Sequence, residues 1–184
     1  MITTLIKTLT ASNSASLEFA DGTSDVVFDN TYDEYMFVFT DINPATDTAN
    51  FTFMVNASGE TGYNDVVMTT TFFSAYHNED NSGSPDVGYF TGQDQAQGGA
   101  YQQIMYYLGN GSDESGAGIM HFFSPASTTY VKNFYARTQV LNADNRCDDV
   151  YTAGYINDTN AIDEISFKMS SGNFDGVIQM YGIA

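Results

Sequence analysis

The sequence predicts an all-β protein: an antiparallel two-sheet β-sandwich of jelly-roll type with about ten strands. Three observations predict it. Apolar residues recur with a period of two along most of the chain, the side-chain period of a strand. Gly, Asn, Asp, Ser and Pro cluster about every eight to twelve residues, a spacing of sandwiches and not of alternating βα units. The aromatic residues are 14 Phe and 13 Tyr with no Trp, types that suit a pleated, half-buried surface. A double sheet buries two apolar faces against each other and leaves few exposed edges.

Residues 2–10 mix apolar and Thr positions and read as an N-terminal or edge strand. Leu17 and Phe19 alternate with Ser16 and Glu18, and the Asp21-Gly22 pair after them signals a tight turn into a short strand, Val26-Val27-Phe28. Tyr35, Phe37 and Phe39 share one face while Met36 and Val38 share the other, so this run belongs in the middle of a sheet. Asn43-Pro44 ends it, and Phe51, Phe53 and Val55 resume the alternation. Residues 66–76 read as a strand, 77–85 as a polar loop, 87–90 as a weak strand and 101–108 as another. The segment 109–118, GNGSDESGAG, reads as a loop before the strand 119–123. Between Tyr130 and Val140 the alternation is plain: Tyr130, Lys132, Phe134, Ala136 and Thr138 oppose Val131, Asn133, Tyr135 and Arg137. A turn at 144–149, a strand at 150–156 and a C-terminal β-hairpin over 162–183, turning over Ser170-Ser171-Gly172-Asn173-Phe174-Asp175-Gly176, complete the chain.

At 184 residues the chain fits one domain, 1–184. Lys and Arg number 5 against 23 Asp and Glu, a formal net charge of −18. Such a surface repels phosphate backbones and anionic lipid, so neither nucleic acid nor a membrane is expected as a partner. The single cysteine, Cys147, excludes an internal disulfide and a thiolate cluster and is expected to be a small buried hydrophobe. The first ten residues lack the apolar run of a secretory signal, which points to a soluble protein made in a cytoplasm.

Paired acids such as Asp33-Glu34 and Asp148-Asp149 are expected by chance at this acid content and single out no glycosidase pair. His77 and His121 have no ligand at a metal-site spacing, and no Gly-x-Ser-x-Gly elbow occurs. No catalytic, cofactor-binding or metal-binding residue is therefore assigned, and the protein is expected not to be an enzyme. The oxygen-rich loops offer His77, Asn78, Glu79 and Asp80, and Asn110, Asp113 and Glu114, as candidate interaction residues. Ca²⁺ could in principle sit among such oxygens, but neither loop follows the twelve-residue calcium pattern, so ordinary solvated turns are expected and no cofactor.

The C-terminal residues Ile165-Ser166-Phe167, Ser171-Gly172-Asn173-Phe174, Gly176, Ile178 and Tyr181-Gly182-Ile183 resemble the end of a family of small virion structural proteins of marine tailed bacteriophages. Members read S-G-N-F, one or two residues, Gly, and then a β run closing on Tyr-Gly-Ile or Tyr-Gly-Leu; here Asp175 alone stands between Phe174 and Gly176. Residues 5–19 and 26–44 are also similar to such proteins. The resemblance implies a non-enzymatic β-sandwich in the virion, either a capsid decoration or cement protein on the outer head or a stand-alone tail-associated jelly roll. It further implies a homotrimer that contacts other virion proteins such as the major capsid protein. The alternative is a tail fibre tip that binds a host receptor or glycan.

Overall fold

The computed structural model describes residues 2–63 and 65–184. Thirteen strands are present among them, more than the sequence predicts: β1 Thr3–Ser14, β2 Leu17–Ala20, β3 Glu34–Pro44, β4 Ala49–Ala57, β5 Met68–Asn78, β6 Asp86–Tyr89, β7 Ala96–Gly98, β8 Gln102–Leu108, β9 Gly116–Phe123, β10 Lys132–Leu141, β11 Arg146–Ile156, β12 Ile162–Met169 and β13 Phe174–Ile183. The only helical element among the described residues is a three-residue 3₁₀ turn, Thr91–Gln93. All pairings are antiparallel, in a nine-stranded sheet ordered β1-β13-β3-β9-β10-β11-β5-β6 with β7 on β5, and a four-stranded sheet ordered β2-β12-β4-β8. The protein is a two-sheet β-sandwich.

The expected C-terminal hairpin is overturned. β12 lies between β2 and β4 in the small sheet, whereas β13 lies between β1 and β3 in the large one. The four residues between them arch across the sandwich. Periodicity is the same for a hairpin and an arch, and only the partners tell them apart. Gly172 turns the arch at φ +72°, with the Thr46 side chain where a Cβ would stand. Backbone bonds Ala45 N to Asn173 O (2.8 Å) and Ser170 N to Asn50 O (2.8 Å) join it to the neighbouring arch between β3 and β4. Registers place the β1–β2, β12–β13 and β3–β4 arches side by side, since Ser14 pairs with Phe174 and Phe174 with Pro44.

The core between the sheets is aromatic. Phe167 of β12 meets Phe19, Phe37, Phe39, Phe51 and Phe53 with centroids 5.3–6.4 Å apart. These rings come from four strands in two sheets, and of the two apolar faces of β3 the one with Tyr35, Phe37 and Phe39 is buried while Met36 and Val38 are half-buried on the other.

Val26-Val27-Phe28 forms no strand. Its backbone is satisfied locally, with Phe28 N donating to Asp21 Oδ1 (2.8 Å) and Gly22 N to Val26 O (2.9 Å), while Val26 and Phe28 still plug the core. The expected loop at 77–85 loses His77 and Asn78 to β5, the loop at 109–118 ends where β9 begins at Gly116, and the turn at 144–149 ends at Arg146. In each case pairing with β11 or β10 extends a strand through polar residues.

Candidate interaction surface

Both sequence-predicted loops lie at one end of the sandwich. Asn78 pairs with Arg146, Leu141 with Cys147 and Val140 with Gly116, so the ends of β5, β10 and β9 align there. The turn between β10 and β11 links the loops: Glu79 N donates to Asn145 O (2.9 Å), and Ala143 N to Tyr107 O (3.0 Å).

Most of their polar groups are consumed internally. Asn78 Nδ2 donates to Ser82 Oγ (3.1 Å), and Asp80 Oδ1 accepts from Ser82 N (2.8 Å), a bond set that holds the Asp80 carboxyl below its usual range. Glu114 Oε2 accepts from Gly111 N (2.5 Å), and Asn110 Nδ2 points at Ala45 O (3.5 Å). Asn43 Nδ2 binds Gly111 O (3.0 Å) and Glu114 O (2.5 Å), tying this loop to β3. His77, Glu79, Asp80, Asn110 and Asp113 remain solvent-exposed. No group of three or more His, Cys, Asp or Glu among the described residues is arranged to hold a metal ion.

Sequence reasoning missed the largest feature, the outer face of the nine-stranded sheet. One row crosses six strands as Val38, Ile119, Arg137, Tyr151, Phe73 and Tyr89. The adjacent row runs Tyr181, Met36, His121, Tyr135, Ala153 and Thr71. None of these twelve is an acid, in a chain with 23 acids among 184 residues. A solvated antiparallel face ordinarily alternates to polar side chains, and this composition sets the face apart from that pattern. Tyr89 is 56%, Tyr135 43% and Phe73 38% exposed.

The rings stand as cross-strand ladders. Phe73 stacks on Tyr151 (4.8 Å, 2° between planes), whose other face carries the Arg137 guanidinium at 5.2 Å. His121 stacks on Tyr135 (4.7 Å) and bonds Glu34. Arg137 grips Asp149 through Nε–Oδ1 (3.1 Å) and Nη2–Oδ2 (2.8 Å), which lowers the Asp149 carboxyl pKa, while Tyr151 OH also donates to it (3.2 Å). Of the acids beside the two rows, Asp149 is paired with Arg137, Glu34 is bonded to His121, and Asp94 accepts from the Tyr89 hydroxyl (2.5 Å). Cys147 is exposed on this face opposite His77, contrary to expectation, because Asp148 and Val150 take the inward positions of β11.

The inner side of the same strands holds buried polar groups. Asp148 is fully buried, accepts from Arg146 Nε (3.0 Å) and Asn142 Nδ2 (2.7 Å), and has its pKa raised by burial despite those bonds. Lys132, also fully buried, donates to Asn160 O (2.5 Å) and Asp158 O (3.3 Å); desolvation lowers its pKa. On the small sheet the outer face is roofed: Met54 and Ser166 are buried, and Lys168 Nζ lies 4.0 Å above the Tyr101 ring beside Tyr63. Burial and the nearby Glu164 raise the Tyr63 pKa.

No protein-family model, no curated protein and no solved structure matches the chain.

Proposed function

We propose that the protein is a non-enzymatic structural component of a bacteriophage virion, a jelly-roll module on the outside of the particle that meets its own copies and the major capsid protein. The observation that carries this reading is the strand pairing. Leaving β5–β7 and β10–β11 aside, eight strands remain, and they pair first with eighth (β1·β13), second with seventh (β2·β12), third with sixth (β3·β9) and fourth with fifth (β4·β8). Such nested pairing supports reading these eight strands as one long antiparallel ribbon rolled up, as in a jelly roll. The step from this fold to shell assembly is fold analogy, joined to the C-terminal resemblance. Charge supports the outer surface: a body of −18 is repelled by packaged nucleic acid and keeps its solubility facing solvent.

The exposed rings favour a second reading, a tail tip that grips a receptor or glycan. Against sugar stacking, Tyr151 is covered by Phe73 on one face and Arg137 on the other. The test is mass spectrometry of purified particles followed by imaging that places the chain. Stoichiometric copies over the head support decoration. Copies confined to the tail end, with glycan binding lost in Tyr89→Ala, support the tip, and particles without the chain refute both.

A further inference from the structure

We infer that the roofed outer face of the four-stranded sheet holds a binding site for one Ca²⁺ ion, with the carboxylates of Glu18 and Glu164 and the side-chain oxygens of Ser166, Asn56 and Tyr63 as its ligands. This inference does not depend on the virion reading.

Unpartnered oxygens mark the place. Five buried side-chain polar atoms among the described residues lack a hydrogen-bond partner, and four of them, Asn56 Oδ1, Tyr63 OH, Gln103 Oε1 and Ser166 Oγ, lie on this face or on its roof. Native interiors leave few such groups, and a concentration of them calls for a water or an ion. Ile165 and Phe167 turn into the core, so Glu164 and Ser166 turn outward, where Glu164 faces Asn56 of β4 and Ser166 faces Glu18 of β2. Strands about 4.8 Å apart, and residues about 6.8 Å apart along one face, gather these four side chains into one block. Ser166 is 1% and Asn56 9% exposed, so neither oxygen turns to bulk solvent. Asn56 spends its Nδ2 on Asp163 Oδ1 (3.1 Å) and has only an acceptor left to offer. Burial, and after it the charges of Glu164 and Glu18, raise the pKa of both roof tyrosines, Tyr63 and Tyr101, which places the two carboxylates beneath them.

Charge selects a cation over water. Among the described residues neither Glu18 nor Glu164 has a basic side chain at ion-pair distance, and Lys168 Nζ lies above the Tyr101 ring instead. Two half-buried carboxylates without a counter-charge repel each other, and a divalent ion between them turns that repulsion into attraction. A bridging water brings two protons and no charge. The donors are all oxygens, the set of a hard cation. Carboxylate, hydroxyl and amide oxygens on three strands and a loop suit Ca²⁺, which takes six to eight oxygens in loose geometry, better than Mg²⁺, which demands a near-ideal octahedron. With two acids and three neutral oxygens the site should be weak, with a dissociation constant on the order of 10⁻⁴ to 10⁻³ M.

The experiment is tyrosine-sensitised Tb³⁺ luminescence on the full chain, with Tb³⁺ standing in for Ca²⁺, followed by displacement with CaCl₂ and by melting curves in CaCl₂ and in EDTA. The chain has no Trp, so excitation reaches the ion through tyrosine, and Tyr63 and Tyr101 adjoin the site. The expected result is emission from one ion per chain that CaCl₂ displaces, and a melting temperature raised by CaCl₂ because only the folded chain assembles the ligands. Glu18→Gln and Glu164→Gln should each weaken binding about tenfold or more, since affinity follows the ligand charge. In EDTA both variants should melt no lower than the wild type, because each relieves the repulsion. Glu79→Gln and Asp113→Asn, in the exposed loops, should bind as the wild type does and so control for ions loosely held by a net charge of −18. No displaceable emission and no rise in melting temperature up to about 10 mM CaCl₂, about ten times the weakest constant expected, overturns the inference. Binding indifferent to both glutamate substitutions, or lost in the loop variants, overturns it as well.

Discussion

The two halves of the nine-stranded sheet bury their inner faces by different means. The half made of β1, β13, β3 and β9 is backed by the four-stranded sheet, and what fills the gap is a cluster of phenylalanines around Phe167. The half made of β10, β11 and β5 extends to the edge of that backing, where buried hydrogen bonds to β8 join apolar packing such as Phe134 on Phe53: Thr138 Oγ1 to Ile104 O (2.5 Å), Thr152 Oγ1 to Gln103 O (3.3 Å) and Thr70 Oγ1 to Gln102 Oε1 (2.8 Å). Packing tolerates approximate partners, whereas a buried polar network must be satisfied group by group. The aromatic half should therefore lose stability in proportion to volume removed, and the polar half in proportion to partners orphaned.

The largest effect expected is Phe167→Ala, which removes the ring at the centre of the aromatic cluster. Phe-to-Ala changes in cores cost about 3–5 kcal/mol, and Phe167→Leu should recover more than half of that if volume is what matters. Chemical denaturation measures both. In the polar half Arg146→Ala should cost about 3 kcal/mol, because it leaves Asp148 buried with its charge uncompensated. Replacing Asp148 and Arg146 together by Leu and Met should be much milder than Arg146→Ala alone. A double variant as unstable as the sum of the singles would erase the distinction between the halves.

The same contrast explains what could be read from sequence. The period-two alternation of β3 and β10 sorts their residues into the two faces found, with Lys132 sharing the side of Phe134, Ala136 and Thr138, but does not tell which side is buried. Apolar packing leaves that imprint because it depends on side-chain type. Partner choice leaves none: β5 pairs with β11, where Phe73 meets Tyr151 across nearly eighty positions of sequence, and no local signal announces it. For the same reason β12 and β13 read as a hairpin although each joins a different sheet. The candidate loops were legible as polar turns, but the exposed aromatic face was not, since whether a ring points inward is settled only by which neighbour covers it.

A smaller effect isolates one hydrogen bond. Thr138→Val keeps shape but removes the donor to Ile104 O, leaving a buried carbonyl short of a partner, and should cost about 1–2 kcal/mol. The corresponding change on the outer face, Phe73→Ala, loses one half-exposed stack and should cost under about 1 kcal/mol. Thermal melts of the two would rank them. Equal losses would mean that the outer ladder holds the fold together as much as the inner bonds do.

The finest test uses neighbours on opposite faces of β11. Asp149, bonded to Arg137, has its folded pKa lowered from 3.8, so the unfolded chain binds more protons in the window below 3.8. Its contribution is present above that value and is lost as pH falls through the folded pKa. Asp148, desolvated, has its folded pKa raised from 3.8, so the folded chain binds more protons in the window above it. Its contribution is complete below 3.8 and is lost as pH rises through the folded pKa. Stability of the wild type relative to Asp149→Asn should therefore climb with pH below about 4, by a few tenths of a kcal/mol because the Arg137–Asp149 pair is partly solvated. Relative to Asp148→Asn it should instead decline with pH above about 4. Urea titrations at a series of pH values give both slopes. Slopes of the same sign would show that the two sides of this strand share one electrostatic environment, and that the extension does not enclose its inner face as the hydrogen bonds to β8 require.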